Sequence, residues 1–260
     1  MSAGAPLLEV TGLSRRFGGL AALEDLDLAV SRGEILGLIG PNGSGKTTFF
    51  NVVTGIYPVS AGRVMFDGAD ITDLSPQEVH RAGIARTFQR SRLCLALSIF
   101  DNIMVGNHGR LSHGLTFNLF RRAAFRAEFE ANFAAARALV ARFDLPLADR
   151  MFEAVGSIPM IDRRRIEICR ALISRPRLLL LDEPSAGMTH EETRQLMADI
   201  LTVRAQMAGL TVIIIEHEMK VIEEITERCV VLNYGRKIAE GSYLEVAADR
   251  QVQEAYLGLE

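Results

Sequence analysis

Ile35-Leu36-Gly37-Leu38-Ile39-Gly40-Pro41-Asn42-Gly43-Ser44-Gly45-Lys46-Thr47-Thr48 is the stretch that decides the fold. Its first five residues are an apolar run of strand length. The next eight fit the pattern G-x-x-x-x-G-K-[ST]. Helix is expected to follow at about Lys46–Thr54, which gives a strand, a glycine-rich turn and a helix in succession. Gly40, Gly43 and Gly45 permit dihedrals and close approaches that other residues resist, so several backbone N–H groups can converge on an anion. The positive end of the following helix faces the same place. The pattern therefore implies phosphate binding along Gly40–Thr48, with Pro41, Asn42 and Ser44 in the loop. Lys46 is expected at the terminal phosphates, and the hydroxyl of Thr47 on Mg²⁺.

A second stretch completes that chemistry. Leu178-Leu179-Leu180-Leu181 reads as a buried strand, and it ends in Asp182-Glu183 followed by Pro184. A carboxylate at that strand end suits Mg²⁺, so Asp182 is the expected metal ligand. Glu183, one residue on, is expected to position and polarise an attacking water. His217 follows the strand Thr211–Ile215 and Glu216. The ends of parallel strands are where such folds place ligands, which makes a phosphate contact the expectation for His217. Gln89, after Ile84-Ala85-Arg86-Thr87-Phe88, can touch Mg²⁺ or the water. Together these residues imply a nucleoside triphosphate with Mg²⁺.

The rest of the chain is organised around these stretches. Leu7–Val10, Asp27–Val30 and Gly62–Gly68 read as short strands bounded by glycines. Ser75-Pro76-Gln77-Glu78 is a helix start, with Ser as cap, Pro at the first position and Glu at the third. From about residue 92 to 173 helix signals dominate. Phe125, Phe129, Phe133 and Val140 recur at helical spacing and read as a packing face. Arg121, Arg122 and Arg126 read as a solvated helix face. After residue 176 strand and helix alternate again: 178–181, 190–207, 211–215, 218–226 and 229–233. That rhythm implies a parallel sheet covered by helices. The expected fold is thus an α/β P-loop NTPase (RecA-like) core with an N-terminal antiparallel β subdomain and an inserted helical subdomain. Residues 1–90 and 174–240 would form the nucleotide-binding core, 91–173 the insertion and 241–260 a helical extension, all within one domain.

Bulk properties exclude several classes. The chain has 260 residues, 48% hydrophobic and 23% charged, as in ordinary globular proteins. A net charge of −3 argues against a broad nucleic-acid surface. No run approaches the ~18 apolar residues of a membrane span. The N-terminal residues show no secretory signal. Cys94, Cys169 and Cys229 match neither a disulfide framework nor a zinc pattern, and are expected to be reduced and mostly buried.

With the phosphate loop, Gln89, Asp182, Glu183 and His217 in this order, the chain resembles the ATPase subunits of ATP-binding-cassette (ABC) transporters over nearly its whole length. Further stretches look like the ATPase of bacterial branched-chain amino acid importers. They are Arg16-Phe17-Gly18-Gly19-Leu20, Phe50-Asn51-Val52-Val53-Thr54-Gly55, Ala85-Arg86-Thr87-Phe88-Gln89, Arg92-Leu93 and Ala255-Tyr256-Leu257-Gly258. The resemblance implies two different ATPases paired beneath two membrane permeases, fed by an external substrate-binding protein. It places the chain on the cytoplasmic face of the bacterial inner membrane, as a peripheral subunit. It also implies that Phe17 stacks on adenine; from the residues alone, Phe17 could equally be core. An ATPase of a lipid-export system and a soluble regulatory ABC ATPase are the alternatives. Soluble relatives acting on ribosomes or DNA usually carry tandem cassettes or a long coiled coil, and neither is seen here.

The chain departs from that pattern in two places. The family's signature reads Leu-Ser/Pro/Ala-Tyr-Gly-x-Gln-Arg-Arg, whereas this chain has Ile158-Pro159-Met160-Ile161-Asp162-Arg163-Arg164-Arg165. Where the family has Asn or Asp after Ala-Gly-Leu/Met, Thr189 stands here. The retained groups act on the chain's own nucleotide, while the altered ones act on a partner's. The resemblance therefore implies an asymmetric pair, with this chain's own site active and the opposite site slow.

Overall fold

The computed structural model describes residues 5–89, 92–111, 121–207 and 209–257. They divide into two compact units. The first takes in residues up to Arg86, Arg177–Pro184 and Met207 onward; the second takes in Thr87–Pro176 and Ser185–Gln206. The helical unit thus also holds helix His190–Gln206, and the chain beyond residue 241 groups with the nucleotide-binding core.

Two sheets build the first unit. β1 (Leu8–Phe17) and β2 (Leu20–Val30) form a hairpin, turned at Gly18 with φ 57°. With β4 (Ala61–Phe66) and β5 (Ala69–Asp70) they make an antiparallel sheet in the order β2-β1-β4-β5. Leu8, Val10 and Leu13 face the core, and so do Leu26, Leu28 and Val30. This is the alternation of a sheet with one wet face. The second sheet has the order β10-β9-β3-β8-β7-β6. Here β3 is Ile35–Ile39, β6 Ile84–Arg86, β7 Leu178–Asp182, β8 Thr211–Ile215, β9 Arg228–Asn233 and β10 Arg236–Gly241. All pairs are parallel except β9 with β10. Every residue of β3, β7 and β8 is buried, as befits strands covered on both faces. Burying each Leu or Ile there contributes about 1.5–3 kcal/mol.

Helix α1 (Lys46–Val53) leaves β3 through the glycine-rich turn and buries Phe49 and Phe50 in the core shared with both sheets. Helix α2 (Pro76–Ala82) begins with the expected reciprocal cap between Ser75 and Glu78. The sequence reading passed over β6, β5 and β10, which are short, edge-placed or polar. It also cut β1 and β2 short, because register shifts and Ser14-Arg15-Arg16 break their alternation.

In the second unit, α3 (Ile99–Val105), α4 (Arg122–Val140) and α6 (Met160–Leu172) pack together, with the short α5 (Leu145–Ala148) beside them. The phenylalanine stripe is partly a packing face. Phe129 and Phe133 lie edge-on to Phe100 at 5.3 and 5.5 Å, and Phe133 stacks on Phe152 at 5.1 Å. Phe125, by contrast, is exposed. Arg165 is buried among Asp199 (2.7 Å), Asp162 (2.9 Å) and Asp144 (3.4 Å). Cys169 and Cys229 are buried and Cys94 is exposed; all three are free. Among the described residues, no helix is long and apolar enough to cross a membrane.

Candidate functional site

The site is built at the carboxyl ends of three neighbouring strands of the first unit. β3 delivers the glycine-rich loop, β7 delivers Asp182 and Glu183, and β8 delivers Glu216 and His217. Gly40 adopts φ 146°, and a Cβ there would stand 2.1 Å from the Leu232 carbonyl oxygen. Gly43 adopts φ 79° with open space beside it. The first position needs glycine for packing as well as conformation; the second keeps the loop's face clear for a ligand. Lys46 is buried, and its Nζ donates to the carbonyls of Gly40 (2.7 Å) and Pro41 (3.0 Å). Burial lowers its pKa, opposed by the charges of Glu183 and Asp182.

Asp182 is almost fully buried. Its Oδ2 accepts from Arg86 at 2.6 Å. Burial raises its pKa, and the Arg86 hydrogen bond and charge oppose that rise. Glu183 sits in the left-handed region at φ 48°, a strained conformation for a non-glycine residue. Its N–H is tied to the Ile215 carbonyl at 2.9 Å, and its Oε1 lies 2.7 Å from His217 Nε2. The strand ends therefore bring His217 to Glu183, a contact absent from the sequence reading.

The donor set fits a triphosphate with Mg²⁺: a cradle open at Gly43, a lysine held beside it, and hard oxygen groups in Thr47 and Asp182. Phe17, 39% exposed, lies at the end of β1, edge-on to Tyr57 at 5.2 Å. One face of its ring carries the Arg15 guanidinium at 4.4 Å.

Gln89 and the altered signature belong to the second unit. Gln89 is exposed, and its carbonyl accepts from Arg164 at 3.3 Å. Ile161 occupies the first turn of α6. Arg163 Nη2 donates to the Gly156 carbonyl at 2.8 Å. Thr189 shares a reciprocal cap with Glu192: its N–H and Oγ1 both donate to that carboxylate at 2.9 Å, and Glu192 N–H returns to Oγ1 at 3.3 Å. The Thr-x-x-Glu pattern announces this cap, and the sequence reading did not use it.

Further residues went unnoticed. Arg86 donates both to Asp182 and to Asn51 of the loop helix. The loop's Pro41–Ser44 also wall a cleft of about 330 Å³ with Asn233, Tyr234, Ile238 and helix α10 (Arg250–Leu257). On the same helix, burial pushes the Tyr256 phenol up to about 12, against a hydrogen bond from the Gly40 backbone.

The fold and the strand-end groups define a P-loop nucleoside triphosphatase. The family described as ABC transporter matches residues 23–186, and one described as branched-chain amino acid ATP-binding cassette transporter matches residues 236–260. The chain belongs to the ABC transporter ATP-binding proteins, ATPases coupled to transport. It is 39% identical over 254 residues to the high-affinity branched-chain amino acid transport ATP-binding protein BraF of Pseudomonas aeruginosa, covering 97% of this chain and 98% of that protein. It is 38% identical, with the same coverage, to the LivG protein of Escherichia coli, which bears the same description. Among solved structures, a nucleotide-free ATP-binding cassette from an ABC transporter aligns with TM-score 0.82 and 29% identity, over 96% of this chain and 98% of that one. An ABC transporter cassette in its ADP conformation aligns with TM-score 0.83 and 29% identity, over 97% and 99%.

Proposed function

We propose that this chain is the ATP-hydrolysing subunit of an importer for branched-chain or related small amino acids. It would work on the cytoplasmic face of a bacterial inner membrane, paired with a second, different ABC ATPase beneath two permeases, with the binding protein acting indirectly. The observation that carries the reading is the strand-end set of Lys46, Asp182, Glu183 and His217. Relatives described as branched-chain amino acid transport proteins support the substrate class.

The roles follow from chemistry. Backbone N–H groups of Gly40–Thr48 cradle the phosphates, and Lys46 exchanges its carbonyl partners for phosphate oxygens. Thr47 and Asp182 would hold Mg²⁺, which would supply positive charge to the phosphates. Glu183, oriented by its backbone and by His217, positions the attacking water and takes up its proton. Phe17 offers a ring face to adenine.

The pair is asymmetric on this reading. The signature glycine brings backbone close to a partner's phosphate, and Ile161 puts a branched side chain there. Arg163 is engaged by its own loop and Thr189 by its own helix cap, so neither is poised to compensate. Losing one preorganised donor costs about 3 kcal/mol at the transition state, roughly a hundredfold in rate.

The test uses the assembled transporter in proteoliposomes. Glu183→Gln in this chain should abolish ATP turnover and uptake of labelled leucine or valine. The equivalent change in the partner ATPase should leave most turnover intact. Equal losses would remove the asymmetry. ATP turnover without uptake of any such amino acid, with lipid extracted instead, would remove the substrate assignment.

A further inference from the structure

The guanidinium of Arg86 occupies a position that the phosphate chemistry above does not use. It stands at the end of β6, beside Leu180 of β7 in the ladder. Its Nη2 donates to Asp182 Oδ2 at 2.6 Å and its Nη1 to Asn51 Oδ1 at 2.6 Å. The guanidinium lies 5.2 Å from the Phe50 ring centroid. The Arg86 side chain is 5% exposed and that of Asp182 only 1%. One buried cation therefore joins the helix that begins with Lys46 to the carboxylate expected to hold the metal.

A carboxylate withdrawn from water needs positive charge beside it. Arg86 supplies that charge within the fold. A divalent ion drawn to Asp182 must then share the carboxylate with a guanidinium that is already hydrogen-bonded to it. Two cations on one buried carboxylate repel, and little water is present to screen them. We propose that Arg86 competes with the divalent ion for Asp182, so that this residue sets how much Mg²⁺ the site requires. The inference rests on the reading that Asp182 holds the metal. On this reading Asp182 would accept a divalent ion only as far as Arg86 loosens its 2.6 Å bond.

The competition has a sign that mere damage would not produce. Removing a supporting residue loosens a metal site and raises the Mg²⁺ it needs. Removing a competing cation lowers it. The measurement is retention of a fluorescent ADP by the full chain as Mg²⁺ is titrated, with thermal midpoints recorded in parallel. Arg86→Gln, neutral and shorter, should lower the half-saturating Mg²⁺ by about tenfold. Arg86→Lys, which keeps the charge, should stay close to the original chain. Should Arg86→Gln not fold, Asn51→Ala carries the test with the opposite shift. Without Asn51 drawing on its Nη1, the guanidinium binds Asp182 more strongly, and the Mg²⁺ requirement rises severalfold. An unchanged or higher requirement in Arg86→Gln, or no shift in Asn51→Ala, overturns the proposal. Asp182→Asn separates the two ideas. If it leaves the Mg²⁺ response intact, the metal assignment is wrong. If it abolishes the response while Arg86→Gln does nothing, only the competition is wrong.

Discussion

Replacing Gly40 by alanine, with Gly43→Ala as its partner experiment, separates what the phosphate loop needs for packing from what it needs for binding. At Gly40 a Cβ would lie 2.1 Å from the Leu232 carbonyl oxygen and 2.8 Å from Ser44 Oγ. Since ordinary contact begins near 3.4 Å, the end of β9 or the loop must move by more than an ångström. The backbone at φ 146° adds conformational strain of about 1–3 kcal/mol. Forcing a methyl into packed backbone adds about 1–3 kcal/mol more. At Gly43 φ is 79° but nothing lies within 4 Å, so only the strain applies. Equilibrium denaturation by urea, with ADP binding measured on both variants, resolves the two effects. Gly40→Ala should be less stable than Gly43→Ala by about 1–3 kcal/mol, which for a chain of this size is several degrees in Tm. Gly43→Ala should stay folded yet bind ADP at least about tenfold more weakly, because its methyl enters the open face of the cradle. Equal stability of the two variants would refute the packing argument at Leu232. Unchanged ADP affinity in Gly43→Ala would refute the cradle.

Other consequences can be measured in the same chain. His217→Ala removes the 2.7 Å partner of Glu183; turnover in the assembled transporter should fall about 10²-fold while ADP affinity holds, and an equal loss of affinity would give His217 a binding role instead. Arg165→Met leaves Asp199, Asp162 and Asp144 facing one another without their cation. A loss of about 3–5 kcal/mol in urea denaturation is expected, and a loss below about 1 kcal/mol would show that the acids find other partners. Glu153 is held down to about 2 by its hydrogen bonds from Arg150 and Ser157, against an ordinary value of 4.5. Its folded pKa is depressed, so its contribution is complete above pH 4.5 and fades as pH falls toward about 2. Glu153→Gln should flatten the acid limb of stability in that window, and an unchanged limb would count against the pairing.

The sequence made much of this legible for identifiable reasons. Uninterrupted apolar runs at 35–39, 178–181 and 212–215 became fully buried parallel strands, as suits strands covered on both faces. Ser75-Pro76-Gln77-Glu78 announced its helix through local chemistry alone. Where long-range geometry decides, the chain was silent. Nothing in Ala85-Arg86-Thr87 reveals that Arg86 meets Asp182, 96 residues away. The Glu183–His217 contact likewise depends on the register Asp182↔Ile215. Thr189 shows a different gap: its reciprocal cap with Glu192 was written in the sequence and went unread.

The order of strands in the larger sheet has a further consequence. The chain departs after Arg86 from β6 and re-enters at Leu178 in β7, and these strands are hydrogen-bonded neighbours through Ile84↔Leu178 and Arg86↔Leu180. It departs again after β7 and comes back as β8, the next neighbour. Both excursions are crossovers that leave at the carboxyl end of one parallel strand and return at the amino end of its hydrogen-bonded neighbour. Segments anchored in that way can be lengthened, trimmed or exchanged without altering the alignment of the strands on either side. Evolution could refit such a chain to new membrane companions by rewriting the excursions, while Lys46, Thr47 and Asp182 stay fixed.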